Sequence, residues 1–356
     1  MKVSRTIAAA ALGVMMLPFL FVDAQQPRKE SRIAQLMAKA EEPFWKRGTL
    51  EEKHAALEEL DIAFERINST VMTLSVHGLR DEDDQIRVKS ARVLAKMGPT
   101  AALFGSAVRE LIKVLETDKV PEVRKEAATA LGNILWMGST RPHTKDAVLA
   151  LIKAMKRDED THVRWSACYA FRLIGPSAWQ AAPDLLELMK EKNDTRMAQL
   201  ASNSFQSVVS PENKGLVPVL LKVYRDEKQD LQIKNVALGA LGKIGHEEDI
   251  VVPILVDALK LPERRGVAAA GLTYMGPKAK AAVPALVAAL DVSGYKDRDH
   301  AYLVLSRVCR ALEAIGPDAR AALPTLRKMA ASSDLEARFQ SIVERTVEEL
   351  EQKPHR

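Results

Sequence analysis

The chain has 356 residues, of which 47% are hydrophobic and 28% charged, and its formal net charge is +5 at pH 7. The high apolar content excludes disorder along most of the chain, and the presence of only two cysteines excludes both a disulfide-stapled scaffold and a thiolate zinc cage. Because basic and acidic residues are interspersed, the positive charge does not indicate a nucleic-acid-binding protein.

Residues 1–24 have the pattern of a secretory signal peptide. Lys2 and Arg5 precede an apolar stretch of about 15 residues, and Val22 and Ala24 supply the small residues of a cleavage site. This stretch is shorter than the roughly 20 residues that span a bilayer, which disfavours the alternative of an uncleaved membrane anchor. The sequence therefore predicts an exported protein, periplasmic or secreted, whose mature chain does not insert into a membrane.

Two segments precede the main body of the chain. Residues 25–48 are polar at first and are predicted to form an N-terminal arm. Residues 49–69 are predicted to contain an N-terminal capping helix, because Thr49 and Glu52 have the spacing of a capping box. In that motif the hydroxyl and the carboxylate each accept a backbone N–H from the other residue.

Residues 70–350 consist of repeating units with a mean period of about 36 residues. Each unit has a short apolar helix, an acidic turn and a longer helix rich in alanine and leucine. Most units end on glycine, which adopts the left-handed conformation without a Cβ penalty, and a following proline prevents the helix from continuing. The unit ends are Gly98, Gly138, Gly175, Ser210, Gly245, Gly276 and Gly316.

A second proline recurs where the next helix begins. It is predicted to occupy the first helical turn, where its missing N–H is not needed. These prolines are Pro183, Pro218, Pro253, Pro284 and Pro324.

Aligning the second helices of seven units predicts which face is buried. Three columns at i, i+4 and i+7 form one helical stripe, and a unit of this length cannot cover that stripe alone. Stacking of neighbouring units covers it, so the expected fold is an all-α, right-handed α-solenoid. The small column is Ser90, Ala127, Ala167, Ala201, Ala237, Ala268 and Val308. The large columns are Leu94, Leu131, Phe171, Phe205, Leu241, Leu272 and Leu312, and Met97, Ile134, Ile174, Val208, Ile244, Met275 and Ile315.

This pattern resembles HEAT repeats, particularly the short HEAT-like repeats of phycobilin lyases. The resemblance rests on turns such as Asp83–Arg87 and on helices such as Ala127–Gly132 and Asn235–Gly245. It implies about eight helical hairpins over residues 70–350, followed by a tail at 351–356. It also implies a ladder of turn Asp and early Arg residues between units, with Asp84/Arg87, Asp118/Arg124, Asp160/Arg164 and Asp230/Lys234 as matches. Departures from the motif predict that the ladder breaks near the fourth, sixth and seventh units.

The sequence contains no motif for catalysis or for a cofactor. None of the seven histidines pairs with another at helical spacing, so no metal face is predicted. Nucleophile elbows, phosphate loops and dinucleotide-binding turns are missing from the sequence. Cys168 and Cys309 are interpreted as small buried hydrophobes. The chain is therefore predicted to be a non-enzymatic scaffold that needs no cofactor and no metal.

The candidate binding surface lies on the second helices, which in HEAT-like arrays commonly line the concave face. Trp165, Tyr169 and Arg172 share one helical face opposite the buried stripe, and these residue types often anchor interfaces. The predicted partner is another protein or peptide. The neighbouring second helices add Gln199, Asn203, Gln206, Lys125 and Thr129 to the predicted surface.

Two alternatives to this surface and function remain open. Trp165 could instead pack against a neighbouring helix or the Trp136 loop. The array could also be a bilin-lyase-like or chaperone-like protein that holds a tetrapyrrole in its groove, as the resemblance to phycobilin lyases implies. A second basic patch, formed by Arg264 and Arg265 with Arg307 and Arg310, is interpreted as aiding solubility rather than as a site for an acidic partner.

Overall fold

A computed structural model describes residues 48–62, 69–103, 105–136, 143–333 and 335–352. Within these ranges the secondary structure is helical and no β-strand occurs. None of the helices in these ranges has both the length and the apolar character needed to cross a bilayer. The predicted signal peptide at 1–24, nearly all of the predicted arm and the predicted unit end at Gly138 lie outside the described residues.

The chain divides into two units, Met1–Val93 and Leu94–Arg356. The first contains helices α1 (Leu50–Ile62) and α2 (Ser69–Gly78) and most of α3 (Asp84–Met97). The predicted capping box starts α1: the Thr49 N–H donates to Glu52 Oε2 at 2.9 Å, and the Glu52 N–H donates to Thr49 Oγ1 at 3.3 Å. A small core of Leu57, Leu74 and Ile86 joins the three helices.

The second unit is an α-solenoid of seven further helix pairs, α4/α5 through α16/α17, so the described residues hold eight pairs in all. Short 3₁₀ helices at Gly98–Leu103, Gly175–Ala181, Lys214–Leu216, Gly276–Ala282 and Gly316–Ala322 precede five of the first helices. The helices are α4 (Gly105–Thr117), α5 (Pro121–Ile134), α6 (Thr144–Arg157), α7 (Thr161–Ile174), α8 (Ala182–Leu188), α9 (Thr195–Val208), α10 (Val217–Arg225), α11 (Leu231–Ile244), α12 (Glu248–Leu259), α13 (Pro262–Met275), α14 (Val283–Ala289), α15 (Arg298–Ile315), α16 (Leu323–Ala330) and α17 (Ala337–Gln352).

The helices of the second unit form two layers. Each first helix packs on the second helix of its own pair, and α5 packs on α7, α7 on α9, α11 on α13, α13 on α15 and α15 on α17. The three predicted columns are buried, with no member more than 3% exposed. The prediction that stacking covers the apolar stripe is therefore confirmed.

Helix ends follow the predicted glycine chemistry, with one correction. Gly98, Gly175, Gly245, Gly276 and Gly316 all have positive φ. Four of the five second prolines lie in the first turn of an α-helix, but Pro253 lies inside α12, which begins at Glu248. The prediction for Pro253 was wrong because five residues that begin at Glu248 form more than one helical turn before it. At the C-terminus, α17 extends to Gln352, two residues into the predicted tail.

The turns carry a ladder that differs in detail from the one implied by the resemblance. Arg124 forms a bidentate pair with Asp158 of the next turn, with both N–O distances at 2.8 Å and the two side chains only 9% and 8% exposed. Asp160, the residue expected in the ladder, instead caps α7 by accepting the N–H groups of His162 and Val163. The shift has a simple cause, since the residue directly after α6 lies nearer the preceding turn than the cap of α7 does.

The sixth and seventh units keep a connection where a break was expected. The Arg265 guanidinium donates to Leu259 O and to Asp291 O, each at 3.0 Å. Arg298 Nε lies 2.7 Å from Glu336 Oε1 and joins α15 to the residue directly before α17. Backbone carbonyls and a glutamate thus replace the aspartate of the motif.

Candidate functional site

Helix α7 positions the residues on which the predicted surface rests. Asp160 caps its N-terminus, and Phe171 and Ile174 fix its inner face in the core. Trp165, Tyr169 and Arg172 consequently lie on the outer face, as the helical spacing predicts. We call the outward side of the second helices, from α5 to α15, the second-helix face.

Trp165 is half-buried and held in place. Its Nε1–H donates to Asp194 Oδ2 at 3.0 Å, and the Arg196 guanidinium lies 3.9 Å from the ring centroid. The His162 ring meets its edge, with the centroids 5.2 Å apart. Trp165 therefore packs against a neighbouring helix, which was the alternative to an exposed binding residue. Its indole joins α7 to α9.

Asp194 forms hydrogen bonds with both α7 and α9. Its Oδ1 accepts the Met197 N–H at 2.8 Å and so caps α9, while Oδ2 accepts from Trp165. The hydrogen bond from the Met197 N–H lowers the pKa of Asp194, and the Trp165 indole and the charge of Arg164 act in the same direction against burial. A carboxylate that is ionised at neutral pH therefore orients the tryptophan.

Tyr169 and Arg172 are the accessible members of the α7 group. Tyr169 is 39% exposed, and the Arg172 guanidinium lies 5.8 Å from its ring centroid. An aromatic ring beside a cation offers a partner both apolar area and a hydrogen-bonding group. These two residues are the best-placed anchors of the predicted surface.

Helix α9 adds side-chain amides beside them. Gln199 and Gln206 are exposed and Asn203 is half-buried. Gln199 Nε2 donates to Asn203 Oδ1 at 3.2 Å, and Lys243 of α11 donates to the backbone carbonyl of Gln206 at 2.9 Å. The structure thus brings the amides next to the α7 group, as the sequence predicts.

The two predicted residues on α5 are engaged within their own helix. Lys125 Nζ lies 2.8 Å from both carboxylate oxygens of Glu122, and Thr129 Oγ1 donates to the Lys125 carbonyl at 3.0 Å. Both side chains are half-buried. Their position on the second-helix face is as predicted, but the charge of Lys125 is already paired.

Sequence reasoning missed residues further along the same face. Tyr274 of α13 is 64% exposed, the largest exposed fraction among the exposed large hydrophobic side chains of the described residues. Lys243 of α11 is half-buried, and burial lowers its pKa. Tyr274 follows the buried Leu272 by two residues, a spacing that places it outward and that could have revealed it.

A cleft of about 540 Å³ lies on the turn side, beside Arg124 and Asp158. Glu116, Lys119, Lys153 and other charged residues of both signs line it. Burial opposes ionisation of Asp158, but the Arg124 guanidinium and the Asp160 N–H outweigh it and lower the pKa of this carboxyl. The buried Arg124–Asp158 pair joins two repeats at this cleft, so we assign the cleft a structural role.

The described residues offer little for chemistry. Within them, no group of three or more His, Cys, Asp and Glu side chains is arranged to hold a metal ion. Burial raises the pKa of both Cys168 and Cys309 to about 12, so each is a protonated thiol at neutral pH. Both cysteines are buried, as the sequence predicts for small hydrophobes.

Comparisons with known proteins agree with the repeat architecture. The family described as HEAT repeats matches residues 73–142. No curated protein matches the chain.

Several solved structures are similar to the chain at low identity. An engineered protein is 20% identical, with 94% of this chain and 92% of that one covered and a TM-score of 0.45. In Kap121p bound to Pho4p, 15% identity extends over 90% of this chain and 39% of that one, with a TM-score of 0.49. The complex of CpcE and CpcF of phycocyanin lyase from Nostoc sp. PCC7120 is 18% identical, with 80% and 95% covered and a TM-score of 0.33.

Proposed function

We propose that this HEAT-repeat protein is an exported, non-enzymatic scaffold that binds another protein or peptide on its second-helix face. The observation that carries the proposal is the exposed pair of Tyr169 and Arg172 beside the amides of α9. Tyrosine and arginine bury much area and keep a hydrogen-bonding group, which is why they are common interface anchors.

The firm attachment of α7 to α9 supports binding as the role of this part of the face. The buried columns hold the helices in place, and Trp165 with Asp194 fixes α7 against α9. A partner that meets such a surface needs little ordering of it, so less free energy is lost on association.

Export is a separate part of the proposal and rests on residues 1–24. Fusion of these residues to a reporter that is active only outside the cytoplasm tests it. Reporter activity, with loss of the segment from the mature chain by mass spectrometry, is the expected result. An inactive reporter that stays in the cytoplasmic fraction with residues 1–24 still attached would show that export is wrong.

Affinity capture with matched variants tests binding. The immobilised chain is incubated with an envelope extract of its native host, and captured proteins are quantified by mass spectrometry. Tyr169→Ala/Arg172→Ala should lose about tenfold or more of a specific partner, as expected for removal of two anchors. Lys145→Ala/Leu149→Ala removes an exposed cation and an exposed hydrophobe from the first helix α6 and should lose none. Equal capture by both variants and the wild type would refute the site.

A further inference from the structure

From α6 to α15 the two helix layers differ in charge. The second helices α7, α9, α11, α13 and α15 contain ten basic and three acidic side chains, whereas the first helices α6, α8, α10, α12 and α14 contain six of each. Basic and acidic residues are interspersed along the sequence, but in this part of the fold the excess of basic residues lies on the second helices. The basic residues of the second helices are Arg164, Arg172, Arg196, Lys234, Lys243, Arg264, Arg265, Arg298, Arg307 and Arg310, and the acidic ones are Glu263, Asp299 and Glu313.

The three carboxylates leave the middle of the second-helix face without negative charge. Glu263 and Asp299 lie in the first turns of their helices. Glu313 is 17% exposed and accepts from Thr346 Oγ1 at 2.7 Å and from Arg345 at 3.3 Å. Side chains of α17 therefore already pair with the charge of Glu313.

Beyond the first turns of these helices, the face has four cations, and none of the four has a carboxylate partner within the described part of the chain. Arg172 contacts the ring of Tyr169, and Lys243 donates to the Gln206 carbonyl. Arg307 extends over Gly266 of the neighbouring helix, with Nη1 3.2 Å from where a Cβ would stand. Arg310 is exposed. Burial lowers the pKa of Lys243, so this ammonium is partly desolvated without a compensating anion.

The groups between these cations suit a polypeptide. Gln199, Asn203 and Gln206 each carry an amide that can both donate to and accept from an extended backbone, and Tyr274 offers exposed aromatic area on α13. A nucleic acid carries a phosphate at every nucleotide and favours massed cations. Here single cations alternate with amides and small apolar residues, so the surface favours an acidic polypeptide.

We propose that the second-helix face from α7 to α15 binds an extended acidic segment of another protein. This inference rests on the proposed scaffold function and specifies the chemistry of its partner. Carboxylates of the segment meet Arg172, Lys243, Arg307 and Arg310, and its backbone meets the amides of α9. At least about 12 extended residues, at about 3.3 Å each, are needed for the four helix spacings, because closely packed helices lie roughly 10 Å apart and α9 and α11 are not closely packed. The basic patch interpreted from sequence as a solubility feature becomes part of this site.

The test uses fluorescence anisotropy with a labelled peptide of about 12 residues that repeats Glu-Ser-Glu-Tyr, the length being set by the span above. The full chain should bind this peptide and bind the Lys-Ser-Lys-Tyr counterpart much more weakly. Arg172→Glu/Arg310→Glu should weaken binding by about tenfold or more, because two attractions become repulsions. Affinity should fall as salt is raised.

A variant of the first-helix layer provides the matched control. Lys222→Glu/Arg225→Glu on α10 makes the same change in net charge at two exposed positions and should alter binding by less than about twofold, since neither residue lies on the proposed site. Circular dichroism confirms that both variants fold. Equal weakening by the two variants would overturn the proposal, because net charge alone would then explain binding.

Two further outcomes would also overturn it. One is tighter binding of a single-stranded oligonucleotide of similar length than of the acidic peptide. The other is no binding of the acidic peptide while Tyr169 and Arg172 still control capture of a host protein. In that last case the acidic segment is wrong and the scaffold function stands, so the two failures are distinguishable.

Discussion

Two stacks of second helices in the second unit, α5–α7–α9 and α11–α13–α15, achieve the same architecture by different means. In the first stack, side chains join the repeats: Arg124 pairs with Asp158, and Trp165 bonds to Asp194. Glycine allows a close helix approach in both stacks, but the approach is tightest in the second. There a Cβ on Gly242 would lie 2.2 Å from the Cα of Gly271, against 2.9 Å between a Cβ on Gly132 and the Cα of Ala170 in the first. The comparison teaches that a repeat fold preserves the burial of its columns, whereas the contacts between repeats vary.

The junction between the two stacks differs from both. Among the described residues, α9 and α11 lack the close helix packing found between the other consecutive second helices of the second unit. The contacts there include the Lys243 bond to the Gln206 carbonyl and the approach of Gly215 to the ring of Trp179, 3.4 Å from a Cβ position. We therefore expect the stacks to behave as partly independent cooperative units.

Removal of a large core side chain gives the largest expected effect. Phe171→Ala in the first stack should cost about 3–5 kcal/mol of unfolding free energy, and Leu272→Ala in the second about 2–5 kcal/mol. Hydrogen exchange measured by mass spectrometry should show α5, α7 and α9 losing protection in the first variant and α11, α13 and α15 in the second. Uniform loss over both stacks in either variant would show that the junction does not separate them.

A methyl group at the glycine contact tests the second stack. Gly242→Ala should cost about 1–3 kcal/mol, because backbone atoms of α13 must move away. Gly239→Ala on the same helix places its Cβ 3.5 Å from Val267 Cγ1, an ordinary contact, and should stabilise by up to about 1 kcal/mol through helix propensity. Denaturant titration measures both. Similar effects of the two substitutions would contradict the close approach.

Acid sensitivity tests the buried pair of the first stack. The pKa of Asp158 is lowered in the folded state, so its stabilisation is present above the unfolded value of about 3.9 and is lost as pH falls through the folded value. Asp158→Asn should cost about 1–3 kcal/mol at neutral pH, and the difference from wild type should shrink below about pH 4. Denaturant titrations at several pH values measure it.

Exposed Arg338 provides the control for the buried pair. It contacts Asp299 and Glu336 at the surface, so Arg338→Ala should have a smaller effect that salt removes. A salt-insensitive loss as large as that of Asp158→Asn would contradict the role assigned to burial.

The columns show how much of the fold could be predicted. Phe171, Leu272 and their equivalents recur at helical spacing, so their burial follows from the sequence. The helix ends at Gly175 and Gly316 follow in the same way, since positive φ is inexpensive for glycine. Pro253 was misplaced because it marks a helix start only when no capable helix-forming residues precede it.

The candidate site was predicted only in part. The outward positions of Tyr169 and Gln206 follow from the spacing of α7 and α9. The sequence did not reveal that Asp194 and Arg196 hold Trp165, because these contacts join residues about thirty apart in the chain. The exposure of Tyr274 was missed because α13 has no second aromatic residue at helical spacing, unlike α7 with Trp165 and Tyr169.

The sequence by itself determined the helices, their inner faces and the need for neighbours, because each depends on residues within a few turns of one another. Only the tertiary structure decided which aspartate meets Arg124, which cations of the second-helix face lack a carboxylate partner among the described residues, and where two successive second helices lack close packing. These features depend on distances between residues about thirty or more apart, and those distances are set by how closely side chains let the helices approach.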